Sequence, residues 1–401
     1  MAVNNRVYYA IQQVAMAPDD SAPNQHGSFK VVHGVQSVGI TTTFNLEQVF
    51  ELGQISIYEN VEGTPDVEVT MSKVLDGYIP LYCMATAMYA ASPALANRNA
   101  ANVKSFVQLG IWNEANNQSA GQTDKYADSL VEMSGLVVSS VGYNFPLDDN
   151  FSEDVTMVGN YKVWKSGTAT NTISADCGVK YYPTGGDGSG VAGGFVGNDD
   201  APIGDGGVNR RENMQFAVTV DNASGSGSAD YTVIPKDIPG VAALGIKGPN
   251  ARISSITTSV DLGREDIFEL GSKLPYAKTV SFPVEVTCDF EVTTVSGDLI
   301  NALDDCTEAG ACNTKQNLNE RAIRLATCEG LRLWLGKKNK LSSVTYGGGD
   351  AGGGNSTVTY SYSNFNDFTV MHSGDVSGNG GNTDGETKWD NRDLYVGSGV
   401  W

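Results

Sequence analysis

The segment QVFELGQISIYE at residues 48–59 returns, altered, as DIFELGSKLPYA at 266–277. The shared core is Phe50-Glu51-Leu52-Gly53 and Phe268-Glu269-Leu270-Gly271, 218 residues apart (Phe50 to Phe268). Four letters can recur by chance, so the flanks decide. At the same spacing Ser37 meets Ser255, Val38 meets Ile256, Glu47 meets Glu265 and Val49 meets Ile267. Downstream, Tyr58 meets Tyr276 and Pro65 meets Pro283, and one deletion brings VEVT at 67–70 onto VEVT at 284–287. Agreement in order, spacing and chemistry over about 35 residues marks an internal repeat.

The repeat extends outward. A strand-like segment precedes each copy, NRVYYAIQQV near the start and NRRENMQFAVTV at 209–220. After the second copy, Asn317 with Glu320 forms a capping-box pattern. Leu318, Ala322, Leu325 and Ala326 make an apolar stripe, with Gly330 as the stop, which predicts a helix. NRNAANVKSF predicts a shorter helix in the first half. A strand carrying a Trp follows in each half, FVQLGIW ending at Trp112 and LRLWLG around Trp334. Both halves close on alternating segments, LVVSSVGYNF with EDVTMV and STVTYSYSNF with NDFTVM, the mark of half-buried strands.

The expected fold is mainly β: two tandem β-sandwich or barrel domains, each flanked by an α-helix. The boundaries expected are 1–165, a Gly/Asp-rich linker or insertion at 166–207, and 208–401 with an acidic Gly-rich C-terminal segment. A second Gly-rich insert, GGGDAGGG at 347–354, interrupts the last hairpin.

Composition narrows the function. Lys and Arg total 26 against 46 Asp and Glu, a net charge of −20 in 401 residues, so no basic footprint exists for gripping a phosphate backbone. The start, MAVNNRVYYAIQQVAMAP, lacks a secretory pattern, and no window has about 18 consecutive apolar residues. The 47 glycines and many Thr, Ser, Val and Tyr fit a β-rich, turn-rich protein.

Catalytic patterns are missing. His26, His33 and His372 lie in no triad context, and GGDGSGVAGG lacks the Lys of a phosphate loop. The pairs Asp148/Asp149, Asp199/Asp200 and Asp304/Asp305 read as solvated turns. Cys306, Cys312 and Cys328 have poor spacing for zinc, and SGDVSGNGGNTDGE lacks a calcium-loop pattern. The expectation is no enzyme, no cofactor and no metal.

Two readings of the repeated segment stay open. Phe50, Leu52, Phe268 and Leu270 fit core residues beside a Gly-assisted turn. They also fit an arm that touches neighbouring subunits, composed of Phe44, Leu46, Val49, Phe50, Leu52, Ile55, Ile57 and Tyr58, and in the second copy Ile267, Phe268, Leu270, Leu274 and Tyr276. A long apolar stretch between two strands favours the arm, since a tight hairpin needs few residues. Pro275 cannot donate a ladder hydrogen bond, so the two arms are expected to pair differently.

The stretch GVQSVGITTTFNLEQVFELGQISIYENVEGTPDVEVT resembles the opening β-region of bacteriophage tail tube proteins, or major tail proteins. NRRENMQFAVTV followed by YTVIPKDIPGV is similar to segments in some of them. The resemblance implies a β-sandwich or barrel with a flanking helix, assembling into sixfold rings that stack into a hollow, DNA-carrying tube. A chain with two tube domains then forms a trimeric, pseudo-sixfold ring. The partners so implied are copies of itself, tape-measure, terminator and baseplate proteins, and a sheath if the tail is contractile. DNA passes the lumen without specific binding, no membrane is involved, and the location is the virion, assembled in the host cytoplasm. The Gly/Asp-rich inserts and acidic tail depart from the simple pattern. The alternative is a β-rich virion surface or carbohydrate-binding protein.

Overall fold

Alternation of β-branched and aromatic residues with Ser, Thr and acids gives each strand one apolar and one polar face, and the computed structural model is built on that alternation. It describes residues 7–18, 30–86, 102–111, 129–166, 207–214, 252–294, 320–348 and 354–372, with single positions at 232, 234, 235, 237, 238, 297, 300 and 318. The chain is mainly β. The first half holds β1 (Gln12–Pro18), β2 (Lys30–Val31), β3 (Val35–Phe50), β4 (Ile57–Val74), a five-residue helix α1 (Leu81–Ala85), β5 (Ser105–Ile111), β6 (Ser129–Pro146), β7 (Ser152–Gly159) and β8 (Tyr161–Ser166). The second holds β9 (Arg252–Asp261), β10 (Arg264–Ile267), β11 (Ala277–Val280), β12 (Glu285–Thr293), β13 (Arg324–Ala326), β14 (Leu331–Trp334), β15 (Lys340–Gly347), β16 (Thr357–Phe365) and β17 (Thr369–His372).

Among the described residues all strand pairing is antiparallel, and most strands belong to one 12-stranded sheet. Its broad part runs β3-β4-β7-β6-β9-β12-β16-β15. The two halves of the sequence meet at β6 and β9, where Ser140 faces Asp261 and Pro146 faces Ser255. They are therefore joined edge to edge in one sheet. β6 serves two layers: its first half pairs with β5 and β8, its second with β7 and β9. The change of layer falls at Gly135, whose φ of 65° suits a residue without Cβ.

The apolar face of the broad sheet carries Val69, Met157, Val141, Tyr143, Ile256, Val286, Phe290 and Tyr360, all buried in one continuous core. β1, β5 and the start of β6 cover the first half. The small sheet β13-β14-β17 supplies Leu325, Leu333 and Val370 to the same core. α1 sits between these covers: Tyr82 packs edge-on against Phe368 at 5.6 Å, and Cys83 Sγ lies 3.8 Å from the Val370 carbonyl.

The helix expected at 318–326 is not formed. Arg324–Ala326 is strand β13, paired with β14. Its core face follows period two, with Ile323 and Leu325 buried and Arg324 lying between them, its guanidinium over the Trp334 ring at 5.3 Å. Gly330, at φ 85°, closes the β13–β14 turn instead of capping a helix. NRNAANVKSF is only partly described, and its end enters β5. Of the closing segments, β6 and β7 pair with each other, whereas β17 pairs with β14 outside the broad sheet. Trp112, the linker at 166–206 and the C-terminal segment from 373 lie outside the described residues.

His372 is among the titratable groups buried here. It is 3% exposed and ends β17, and burial pushes its imidazole down to about 4. A folded value below the ordinary one near 6.5 means stability is full above that pH and is lost as pH falls from 6.5 towards 4. The loss amounts to about 3 kcal/mol. Thermal melts of wild type and His372→Gln across this window should show a smaller acid-induced fall in Tm for the variant; parallel curves would refute the assignment.

Candidate assembly surfaces

The repeated FELG segments form two hairpin tips. β3 and β4 extend well beyond the core and turn at Leu52-Gly53; β10 and β11 turn at Leu270-Gly271. In each, the fourth residue's amide returns to the Glu carbonyl, Gln54 to Glu51 at 3.2 Å and Ser272 to Glu269 at 3.4 Å. Gly53 and Gly271 have φ of 95° and 94°, the left-handed position that such turns reserve for glycine. The registers coincide as well. Leu46·Glu62, Glu47·Val61, Gln48·Asn60 and Val49·Glu59 in one arm correspond to Arg264·Val280, Glu265·Thr279, Asp266·Lys278 and Ile267·Ala277 in the other. The first arm adds Phe50·Ile57. The second stops before Phe268 and Pro275, where no proline N–H exists to bond.

The apolar residues of these arms face outward. Leu52, Ile55 and Leu270 are fully exposed, and Phe44, Leu46, Val49, Phe50, Ile57, Tyr58, Phe268, Leu274 and Tyr276 are exposed; Ile267 is half-buried. The reading of Phe50, Leu52, Phe268 and Leu270 as core residues is thereby corrected: a tip turn this far from the covering layers has nothing to pack on. The second arm touches the base of the first. Thr64 Oγ1 donates to the Lys273 carbonyl at 2.6 Å, and Lys278 Nζ pairs with Asp266 at 2.7 Å and reaches Asp66 at 3.8 Å.

A second surface is the polar face of the broad sheet. Row by row it presents Ser361, Asp289, Thr257 and Asn144, then Ser363, Thr287, Ser259, Gly142, Asp154 and Ser72, then Asp261, Ser140, Thr156, Thr70 and Gly39. Glu68, Glu285 and Glu291 join them, and Lys340 stands at one corner. None of these residues is buried. Short hydroxyl side chains give low relief, and the carboxylates repel phosphate.

The third feature is a pair of sheet edges, β3 at one end and β15 at the other. Among the described residues each pairs on one side only. Both edges are long and expose backbone donors and acceptors, the arrangement that invites another strand.

Chemistry is sparse elsewhere. Among the described residues no group of His, Cys, Asp and Glu could hold a metal. Asp148 and Asp149 line an open polar cleft of about 270 Å³ with Asn150, Arg210, Arg211 and Glu212. There Arg210 Nε donates to Asn150 Oδ1 at 3.0 Å and Arg211 lies 3.6 Å from Asp148, so the charges answer one another across an exposed turn. Cys83 and Cys288 are buried thiols, and burial pushes Cys288 up to about 12. Cys328 is an exposed thiol, while Cys306, Cys312, His26, Asp199, Asp200, Asp304 and Asp305 lie outside the described residues.

No protein-family model and no curated protein matches the chain. Solved structures similar to it include the anti-feeding prophage cap (AFP tube terminating cap), at 14% identity and TM-score 0.30, covering 42% of this chain and 95% of that one. The anti-feeding prophage baseplate is similar at 9% identity and TM-score 0.30, covering 41% and 97%. The sheath-tube complex of an extracellular contractile injection system in its extended state follows, at 11% identity and TM-score 0.27, covering 41% and 95%. Likeness at this level does not define a shared fold.

Proposed function

We propose that this chain is a non-enzymatic structural subunit of a tail tube, carrying two tube-type repeats and assembling head to tail into rings that stack. The observation that supports this most is the broad sheet itself. Its strands fall into two successive sets, β3-β4-β7-β6 and β9-β12-β16-β15, each opening with an arm, and among the described residues the series ends in two strands paired on one side only. A strand series whose end strands pair on one side only among the described residues can close on copies of itself, and ring closure removes the edges. Three chains would then place six repeats around an axis.

The polar face fits a bore. DNA must slide without sticking, and a surface of Ser, Thr, Gly and carboxylates offers no cation for counterion-release binding over most of its area. Stacking falls to the arms, whose exposed Leu, Ile, Phe and Tyr side chains form apolar area that needs a partner.

Electron microscopy of the concentrated protein, combined with native mass spectrometry, tests the reading. Rings or tubes built from three-chain units are expected. Rings of six chains would remove the pseudo-sixfold arrangement, and a monomer at every concentration would remove the tube reading.

A further inference from the structure

The β6·β9 junction inside the chain shows how one strand set meets the next. β15 carries the same local design as the second half of β6. VSSVGY at 138–143 and LSSVTY at 341–346 lie 203 residues apart (Ser140 to Ser343). Each strand shifts register at the same place against its neighbour, between Val138 and Ser140 in β6 and between Leu341 and Ser343 in β15. On the other side of the junction, β9 corresponds to β3 through the 218-residue repeat (Phe50 to Phe268).

Burial differs sharply between the corresponding residues. At the internal junction Tyr143 is 1% exposed and Leu262 1%; their counterparts at the free edges, Tyr346 and Phe44, are 51% and 70% exposed. Ile256 and Val260 are buried, whereas their counterparts Val38 and Thr42 are half-buried. Strands β3 and β15, which pair on one side only among the described residues, thus carry side chains of the type that the internal junction covers, here more exposed.

Resting on the tube-subunit reading above, we propose that β15 of one copy pairs antiparallel with β3 of a second copy in the register of β6·β9. Transferring Ser140·Asp261, Val141·Val260, Gly142·Ser259 and Tyr143·Thr258 gives Ser343·Thr43, Val344·Thr42, Thr345·Thr41 and Tyr346·Ile40 across the two copies. The internal bond from the Leu262 amide to the Ser139 carbonyl, 2.8 Å, becomes Phe44 amide to Ser342 carbonyl. The faces agree. Val344 packs on the core side of β15 and Ile40 on that of β3, and direct partners in an antiparallel ladder point the same way. A one-residue slip would put Tyr346 opposite Thr41 on the wrong face.

The arm contact transfers too. Thr64 and Lys273, joined at 2.6 Å within the chain, correspond to Phe282 and Ile55. Phe282 is 45% exposed and Ile55 fully exposed, so between copies an apolar pair takes the place of a hydroxyl–carbonyl bond. The junction is not a strict copy. Arg264 Nε, which donates to the Val138 carbonyl at 2.7 Å, corresponds to Leu46, which has no donor.

The head-to-tail geometry gives a sharp test. Phe44→Asp spoils only the β3 edge and Tyr346→Asp only the β15 edge. Each variant alone is expected to stay monomeric on native mass spectrometry, and an equimolar mixture to give a one-to-one dimer through the two intact edges. In parallel, in a Cys328→Ser background, Thr345→Cys/Thr41→Cys should form disulfide-linked chains under mild oxidation that the background alone and Thr345→Cys/Thr42→Cys do not, because only the first pair shares a face. If wild type builds rings and both aspartate variants do so equally, the junction is overturned while the tube reading stands. Cross-linking through Thr42 in place of Thr41 overturns the register. If wild type forms no ring and the mixture no dimer, both proposals fall.

Discussion

Aspartate at both Leu52 and Leu270 is expected to leave a folded chain that closes rings but does not stack them. Both leucines are fully exposed at the arm tips, so the isolated chain loses no packing and its melting should be unchanged. In a stacked tube each buried leucine contributes about 1.5–3 kcal/mol, so the pair represents about 3–6 kcal/mol per chain. That corresponds to about two to four orders of magnitude in the stacking constant, before the cost of burying two carboxylates. Pelleting assays and electron microscopy should show short rings where wild type gives tubes. Leu52→Met/Leu270→Met, which keeps apolar volume, should polymerise normally. Tubes of ordinary length from the aspartate variant would show that the tips do not make the stacking contact.

The single variants carry further information. The β10–β11 arm ends its ladder before Pro275, whereas the β3–β4 arm continues to Phe50·Ile57. The two tips therefore differ in how firmly the ladder holds them. Leu52→Asp and Leu270→Asp alone should shorten tubes to different extents, Leu52→Asp more, because its tip is held by the longer ladder.

The strands and arms were legible because their signals are local. Period-two alternation in VEVTMSKV and STVTYSYSNF sets which side chains face the core, and Gly53 and Gly271 announce turns that only glycine takes easily. The residues at 318–326 misled for a physical reason. Leu318, Ala322, Leu325 and Ala326 make a helical stripe only when odd and even positions are taken together; as a strand, the same segment turns the alternate set Ile323 and Leu325 to the core. The strand won because β14 offers a pairing partner. The edge-to-edge union of the halves was also readable in part: VSSVGY and LSSVTY stand in the sequence, yet their equivalence becomes meaningful only when both show the same register shift.

Strand parity also sets the direction of Glu153, which no local motif marks. In EDVTMV, Glu153 shares its face with Val155 and Met157 and must point into the core. There it is fully buried and accepts three bonds: from the Leu81 amide at 2.6 Å, the Tyr82 amide at 2.9 Å and Tyr143 Oη at 2.7 Å. Pro80 precedes α1 and offers no side-chain cap, so this carboxylate caps the helix from across the core. Lys73, opposite Glu153 in the β4–β7 ladder, is buried too and is held by Asp76 at 2.9 Å and the His33 carbonyl at 2.6 Å. Burial pushes the Glu153 carboxyl up, while its three donors and Lys73 act against that rise.

Glu153→Ala should therefore be the most destabilising single change in the first half. It strands two amides and a phenol in an apolar core at about 1–3 kcal/mol each. Release of the carboxylate's own desolvation cost offsets part of this, leaving a net loss of about 3–5 kcal/mol. Guanidinium unfolding should show a lower midpoint with an unchanged slope. Glu153→Gln should fall between the two, since its single carbonyl can serve one amide while its NH₂ faces the other donor. A midpoint for Glu153→Ala equal to wild type would mean that α1 is held by Tyr82, Cys83 and their apolar contacts alone, and that the carboxylate is a passenger in the core.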